Sequence, residues 1–280
     1  MIELSPDLAT IEGTPATFDT FLALEGEIFR QVGERRTLRF AVGSRSYFIK
    51  IHSGVGWREI FKNLLQGRLP VLGAKNEVRA IQRLTELGIS TTPLAGYGWR
   101  GWNPARQESF MITEELMDTV TLEELSIDWQ SKPPPLGLKR ALIGKIAAIA
   151  KTLHENGINH RDFYVCHFNL DPATTGKSDF ALYLMDLHRT QIRGRTPRRW
   201  IIKDIAGLHF SSMDCGLTAR DRLRFIRAYR GKPLRAVLTE EKRFWEKVQK
   251  RARVLYDAHR KRYAALYEER KRASSSRSCG

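Results

Sequence analysis

The chain has 280 residues, 42% of them hydrophobic, enough for one or two domains with cores of their own and no need of disulfide staples. Its three cysteines, Cys166, Cys215 and Cys279, are odd in number and far apart, which argues against a disulfide framework or a cysteine-ligated metal and makes a reducing cytosol the expected setting. The net charge of +16 is unevenly spread: Arg189 to Gly280 holds 26 Lys and Arg against 9 Asp and Glu, leaving 21 against 22 in residues 1–188, so the basic third is suited to an acidic or phosphorylated partner, an anionic membrane face or nucleic acid.

In chain order, Met1 to Leu24 carries acidic residues and lacks the basic start and apolar core of a signal peptide, and no apolar run reaches membrane-spanning length. Residues 27–52 alternate apolar and polar side chains around Gly33 and Gly43, the pattern of an antiparallel meander with two tight turns. In the stretch from about 53 to 73, Trp57, Ile60, Phe61, Leu64 and Leu65 recur at helical spacing with Arg58 and Lys62 opposite, which predicts an amphipathic insert. A helix is expected over 74–87, closed by Gly88, and then strands in TTPLAGYGW and ESFMITEEL. Residues 1–115 thus read as a small β-rich lobe.

Beyond Glu115 helices dominate, and 116–272 reads as a second, mainly α lobe. Thr121 opens a short helix, Ser131 to Gly137 is a Pro-rich break, and LKRALIGKIAAIAKTLHENG is a long amphipathic helix closed by Gly157. Short strands are expected at 168–170 and 180–185. Helices are expected to resume at Lys203, at the N-cap Thr218 and from Thr239, with a disordered tail over 273–280. The aromatic residues form no recognised RNA-binding motif, so nucleic acid is not the expected partner.

The chemistry centres on His160-Arg161-Asp162, between a Gly-closed helix and a short strand, and on Asp186, which ends another strand in Met185-Asp186-Leu187. Upstream, Lys50 lies in the strand pattern Tyr47 to Ile51 and Glu77 on the helix that follows. A strand lysine, a helix glutamate, an HRD loop and a strand-terminal aspartate, in this order, resemble the signature of the protein kinases. The resemblance implies an α+β, bilobal protein-kinase-like fold that uses ATP and Mg2+. Asp162 would be the catalytic base, Asp186 the magnesium ligand, Lys50 the contact to the α- and β-phosphates and Glu77 its anchor. It also implies a hinge at Ile112 to Leu116, where backbone groups of Glu114 and Leu116 would meet adenine, and a buried loop-steadying role for Asp204. His160 and Arg161 would support Asp162.

Departures from ordinary protein kinases bear on substrate class. His167 stands where those enzymes place a magnesium-binding asparagine, Leu187-His188 follows Asp186, there is no Gly-x-Gly-x-x-Gly loop, and the segment from His188 to Trp200 is short and lacks an Ala-Pro-Glu anchor. Imidazole is a poor ligand for a hard cation, so a phosphate contact or a structural role for His167 ranks ahead of metal ligation. The stretches RRTLRF, SYFIKIH, GINHRDFYVCHF, MDLHR and PRRWIIKDIAGLHFSSM, with the insert, resemble the lipopolysaccharide core heptose kinase family over about Gly26 to Tyr229.

That resemblance implies phosphorylation of the first heptose of the inner core, on a lipid-linked oligosaccharide at the cytoplasmic face of the inner membrane. Arg189, Arg193, Arg198 and Arg199 are the expected contacts to an acidic acceptor. The anionic membrane surface and a small acidic protein such as acyl carrier protein are the further expected partners. The alternatives are an aminoglycoside-type or other small-molecule phosphotransferase, a protein kinase, and, from another class, a pseudokinase or basic scaffold.

Overall fold

A computed structural model describes residues 1–11, 13–32, 35–65, 73–177 and 179–263. The turn expected at Gly33-Glu34, part of the insert (66–72), Ser178 in the loop between the two short strands, and the tail at 273–280 lie outside the described residues. Two compact units divide the chain: Met1–Val120 together with Asn169–Ile192, and Thr121–Phe168 together with the residues from Arg193 onward.

In the first unit, alternation along 27–52 gives β2 (Glu27–Val32), β3 (Arg35–Val42) and β4 (Arg45–His52), with β3 and β4 turning at Gly43, whose φ of +59° suits glycine. They join β5 (Leu94–Arg100) and β6 (Glu108–Glu114) in an antiparallel sheet that begins with β1 (Ile2–Leu4), in the order β1-β5-β6-β4-β3-β2. Lys50 sits in the interior of this sheet, opposite Thr37 on one side and Met111 on the other. Because side chains alternate along a strand, Tyr47, Ile49 and Ile51 enter the apolar cluster with Leu8, Phe21, Leu38, Phe110 and Ile112, and Lys50 faces away from it.

Among the elements of this unit with no counterpart in the sequence reading are β1 and α1. β1 is only three residues long and gains its place by pairing with β5, Ile2 opposite Gly98. α1 (Phe18–Leu22) is a single turn held by a Thr17–Thr20 capping box, and it brings Phe21 to 4.9 Å from Phe110. Neither is long enough to show a hydrophobic period.

α2 (Gly56–Leu65) and α3 (Lys75–Glu86) follow the meander. α3 buries Glu77, Val78, Ala80, Ile81 and Leu84. Residues 169–192 complete the unit: the Asp171 N–H donates to the Ala181 carbonyl across a hairpin, and the Leu184 N–H donates to the carbonyl of Ser90, just past α3, at 2.8 Å.

The second unit is built on α5 (Leu136–Glu155), which buries Leu142, Ile143, Ile146, Ala147, Ala150 and Leu153. Its Lys139 meets Asp221 at 3.1 Å, both buried, on α7 (Ala219–Arg230), the helix that Thr218 caps. α4 (Leu122–Leu125) opens with the Thr121–Glu124 capping box. Gly157 ends the α5 region at φ +77°; a Cβ there would lie 1.7 Å from the Arg193 carbonyl oxygen, so no other residue fits without moving the chain.

Two helix starts differ from the sequence reading. α6 runs Arg198–Ser211, so its first turn lies five residues before Lys203, and the basic C-terminal helix is preceded by α8 (Leu234–Glu240), with α9 at Lys242–Arg262. Pro197 and Pro233 explain both, because a proline of fixed φ costs nothing where the first helical N–H groups lack partners anyway.

Candidate functional site

The first unit carries the expected nucleotide-side residues. Lys50 Nζ lies 2.6 Å from Glu77 Oε1; the Glu77 side chain is only 6% exposed and that of Lys50 28%, so the pair anchors the ammonium from below and leaves it reachable. His52, two residues along the same strand face, is buried with its Nδ1 unpartnered among the described residues. Burial, reinforced by Arg35, Lys50 and His188, pushes it down to about 3. It is therefore neutral at working pH and adds no charge beside Lys50.

Asp186 takes a left-handed backbone, φ +59°, uncommon for a residue other than glycine. Its Oδ1 accepts from His188 Nδ1 at 2.5 Å, and residues 187–189 form a single tight turn closed by the Thr190 N–H on the Leu187 carbonyl. One carboxylate on such a turn suits Mg2+, which takes one or two protein carboxylates and completes its shell with phosphate and water. Among the described residues no group of three or more His, Cys, Asp or Glu side chains forms a dedicated metal cage. At the hinge, the Glu114 N–H donates to the Pro93 carbonyl as β6 ends, and Leu116, beyond the strand, accepts from Thr119 Oγ1 at 3.4 Å.

The second unit carries the HRD loop, and Asp204 holds it. Fully buried within α6, Asp204 accepts the His160 N–H at Oδ2 (2.7 Å) and the Arg161 N–H at Oδ1 (2.8 Å). His154 of α5 approaches the same Oδ2 at 3.5 Å and contacts the Tyr229 hydroxyl at 2.7 Å through Nδ1. Arg161 has φ +76°, a strained conformation costing on the order of 1–2 kcal/mol, which the charge-assisted bond to its N–H offsets.

His167 points Nδ1 at the carbonyl of Asp162, 2.7 Å away. A carbonyl only accepts, so Nδ1 is the donor in this contact. The ring also stacks near His160, with centroids 6.0 Å apart.

The four arginines expected at the acceptor fall in different places. Arg189 belongs to the turn after Asp186, in the first unit. In the second unit, Arg193 donates to Asn159 Oδ1 at 2.6 Å, and Arg198 lines a cavity of about 490 Å3 with Arg195 and Arg230 and lies over Phe244. Arg193 and Arg199 share the Trp200 ring with Arg161 and Lys203, all four within 5.1–5.8 Å of its centroid. Trp200 and Lys203 were not singled out from sequence; the cue is their i, i+3 spacing on one helix face.

Residues 19–229 match the lipopolysaccharide kinase (Kdo/WaaP) family. The lipopolysaccharide core heptose(I) kinase WaaP of Pseudomonas aeruginosa is 49% identical over 250 residues, covering 89% of this chain and 93% of that protein. Its counterpart from Escherichia coli K12 is 47% identical over 242 residues, covering 86% and 91%. A solved structure of WaaP in complex with acyl carrier protein superposes with a TM-score of 0.77 at 43% identity, covering 91% of this chain and 99% of that one.

If Asp204 sets the catalytic loop, Asp204→Asn leaves one loop N–H facing an amide NH2 in place of an oxygen. The expected result is about 2–3 kcal/mol lost stability and, from the displaced Asp162, a kcat lowered on the order of 10²-fold with little change in KM for ATP. Steady-state kinetics and thermal melts check this; an unchanged kcat would remove Asp204 from the positioning of the loop.

Proposed function

Because the chain belongs to the lipopolysaccharide kinase (Kdo/WaaP) family, we propose that it phosphorylates the first heptose of the lipopolysaccharide inner core, with Asp162 as base and Asp186 as the magnesium ligand. Its kinase-like fold and enzyme class come with that membership, and ATP is the phosphoryl donor of a kinase. The observation that carries the residue assignment is the Asp204-anchored loop, which spends a buried carboxylate and a strained Arg161 on presenting Asp162.

In this reading Asp162 accepts the proton of the heptose hydroxyl as its oxygen forms a bond to the γ-phosphorus and the bond to the ADP oxygen breaks. Lys50, steadied by Glu77, holds the α- and β-phosphates, and Glu114 and Leu116 offer backbone groups to adenine. Asp186 would hold Mg2+, which supplies charge neutralisation on the phosphates. His167, with Nδ1 committed to the Asp162 carbonyl, acts first as a strut of the loop.

In the second unit, the cations around Trp200, with Arg198, are assigned to the acceptor's carboxylates and phosphates. Four positive charges around one ring repel one another, and a bound anion relieves that repulsion. Incubation of labelled ATP with core lipopolysaccharide lacking its heptose phosphate tests the assignment. Asp162→Ala is expected to abolish label transfer and retain ATP binding; transfer at the wild-type rate would leave Asp162 without a role.

Two partner assignments follow from separate observations. No described helix is long and apolar enough to cross a membrane. On α2, however, Trp57, Phe61 and Leu65 are 51%, 58% and 89% exposed at i, i+4, i+8 spacing while Ile60 is buried, and Arg58 and Lys62 are exposed on the same helix. Such a stripe suits the interface of an anionic bilayer, and the chain is assigned a peripheral place at the cytoplasmic face of the inner membrane. Trp57→Ser with Phe61→Ser should lower sedimentation with phosphatidylglycerol vesicles severalfold; equal sedimentation of variant and wild type would discard α2 as the contact.

The solved relative bound to acyl carrier protein, together with the basic C-terminal third, supports an acidic carrier protein as a partner of this chain. Purified acyl carrier protein is expected to co-elute with it in gel filtration at low salt and to separate at high salt. Separate elution at both would discard that partner.

A further inference from the structure

Neighbouring residues at the start of α3 serve different partners. Glu77 is buried and grips Lys50, while Asn76, one position earlier and about 100° around the helix, is exposed. The Asn76 Nδ2 donates to two backbone carbonyls of the segment after Asp186, that of His188 at 3.0 Å and that of Thr190 at 2.9 Å. Both partners can only accept, so the atom facing them has to be the NH2 group, and its two hydrogens are both used. His188 in turn donates from Nδ1 to the Asp186 carboxylate.

These contacts form one chain within the first unit: Lys50 to Glu77, the α3 backbone from Glu77 to Asn76, Asn76 to His188 and Thr190, and His188 to Asp186. We propose that Asn76 is a positioning residue, a clamp that fixes the Asp186 turn to the same helical turn that holds Lys50, so that the phosphate-binding ammonium and the metal-binding carboxylate keep one spacing. This rests on the reading of Lys50 and Asp186 given above.

The chemistry of the turn explains why a clamp is needed. Asp186 is held in a left-handed conformation that an aspartate adopts reluctantly, and the tight turn behind it is closed by the hydrogen bond from the Thr190 N–H to the Leu187 carbonyl. Without Asn76, the His188 and Thr190 carbonyls lose an external tie, and His188 loses the backbone restraint that aims its ring at Asp186. Because Asn76 is exposed, water can replace its hydrogen bonds, so its effect falls on geometry rather than on global stability.

The test uses the full chain. Asn76→Asp keeps the shape and replaces both donors with an oxygen that repels the two carbonyls; Asn76→Ala removes the group altogether. Both variants are expected to raise the Mg2+ concentration for half-maximal rate and the KM for ATP about tenfold, the loss expected for two modest hydrogen bonds, with the KM for acceptor unchanged. Hydrogen exchange at the Thr190 amide is expected to accelerate by a similar factor, a readout independent of turnover. Wild-type Mg2+ dependence with unchanged exchange, or a fall in melting temperature alone, overturns the proposal. Asp186→Ala separates the two layers: if its Mg2+ dependence is normal, the metal assignment fails, whereas accelerated exchange at Thr190 in Asn76→Asp still reports the clamp.

Discussion

The arrangement of the HRD loop depends on one buried carboxylate. Asp204 has no exposed surface and receives two main-chain N–H groups of the HRD loop, one on each oxygen. A bare carboxylate at that depth would be prohibitively costly, and these short charge-assisted bonds are what make it tolerable. The compensation works in both directions: the loop satisfies the charge, and the charge holds Arg161 in a backbone conformation it would not adopt alone. The surrounding helices follow from that site. α6 supplies the carboxylate, α5 brings His154 beside it, and α7 closes on His154 through Tyr229.

The first unit solves a related problem with less burial. Lys50 is reachable because its partner, and not the lysine itself, is sunk into the protein, which keeps the ammonium aimed. The sheet makes this possible by alternation: the residues flanking Lys50 fill an apolar core on one face while Lys50 and His52 share the other, and burial keeps His52 neutral. One strand thus serves as wall and as functional surface.

Much of this was legible along the chain, for physical reasons. The meander of β2 to β4 was visible in its period of two, α5 in its apolar stripe, and the Thr121 and Thr218 caps in the residue types that satisfy free N–H groups. HRD and the aspartate after a strand were conspicuous because few residue types can do their chemistry. What escaped was short or relational. β1 and α1 are below the length at which a period can be read, and the starts of α6 and α8 were set by prolines that read as breaks. Asn76 is an ordinary helix residue by sequence, and only its neighbours in space distinguish it.

The division of the chain has a consequence for how the protein comes to be folded. Residues 169–192 belong to the unit that begins at Met1, yet nearly fifty residues of the other unit are synthesised before them. Asn76 therefore waits on the ribosome for more than a hundred residues before its two acceptors exist, and Ser90 waits for the amide of Leu184. The amino-terminal sheet can assemble early, but the Asp186 turn that Asn76 of α3 holds arrives only once the HRD loop has already emerged. An order of manufacture is thus written into the connectivity: the HRD loop is made before the turn that carries Asp186.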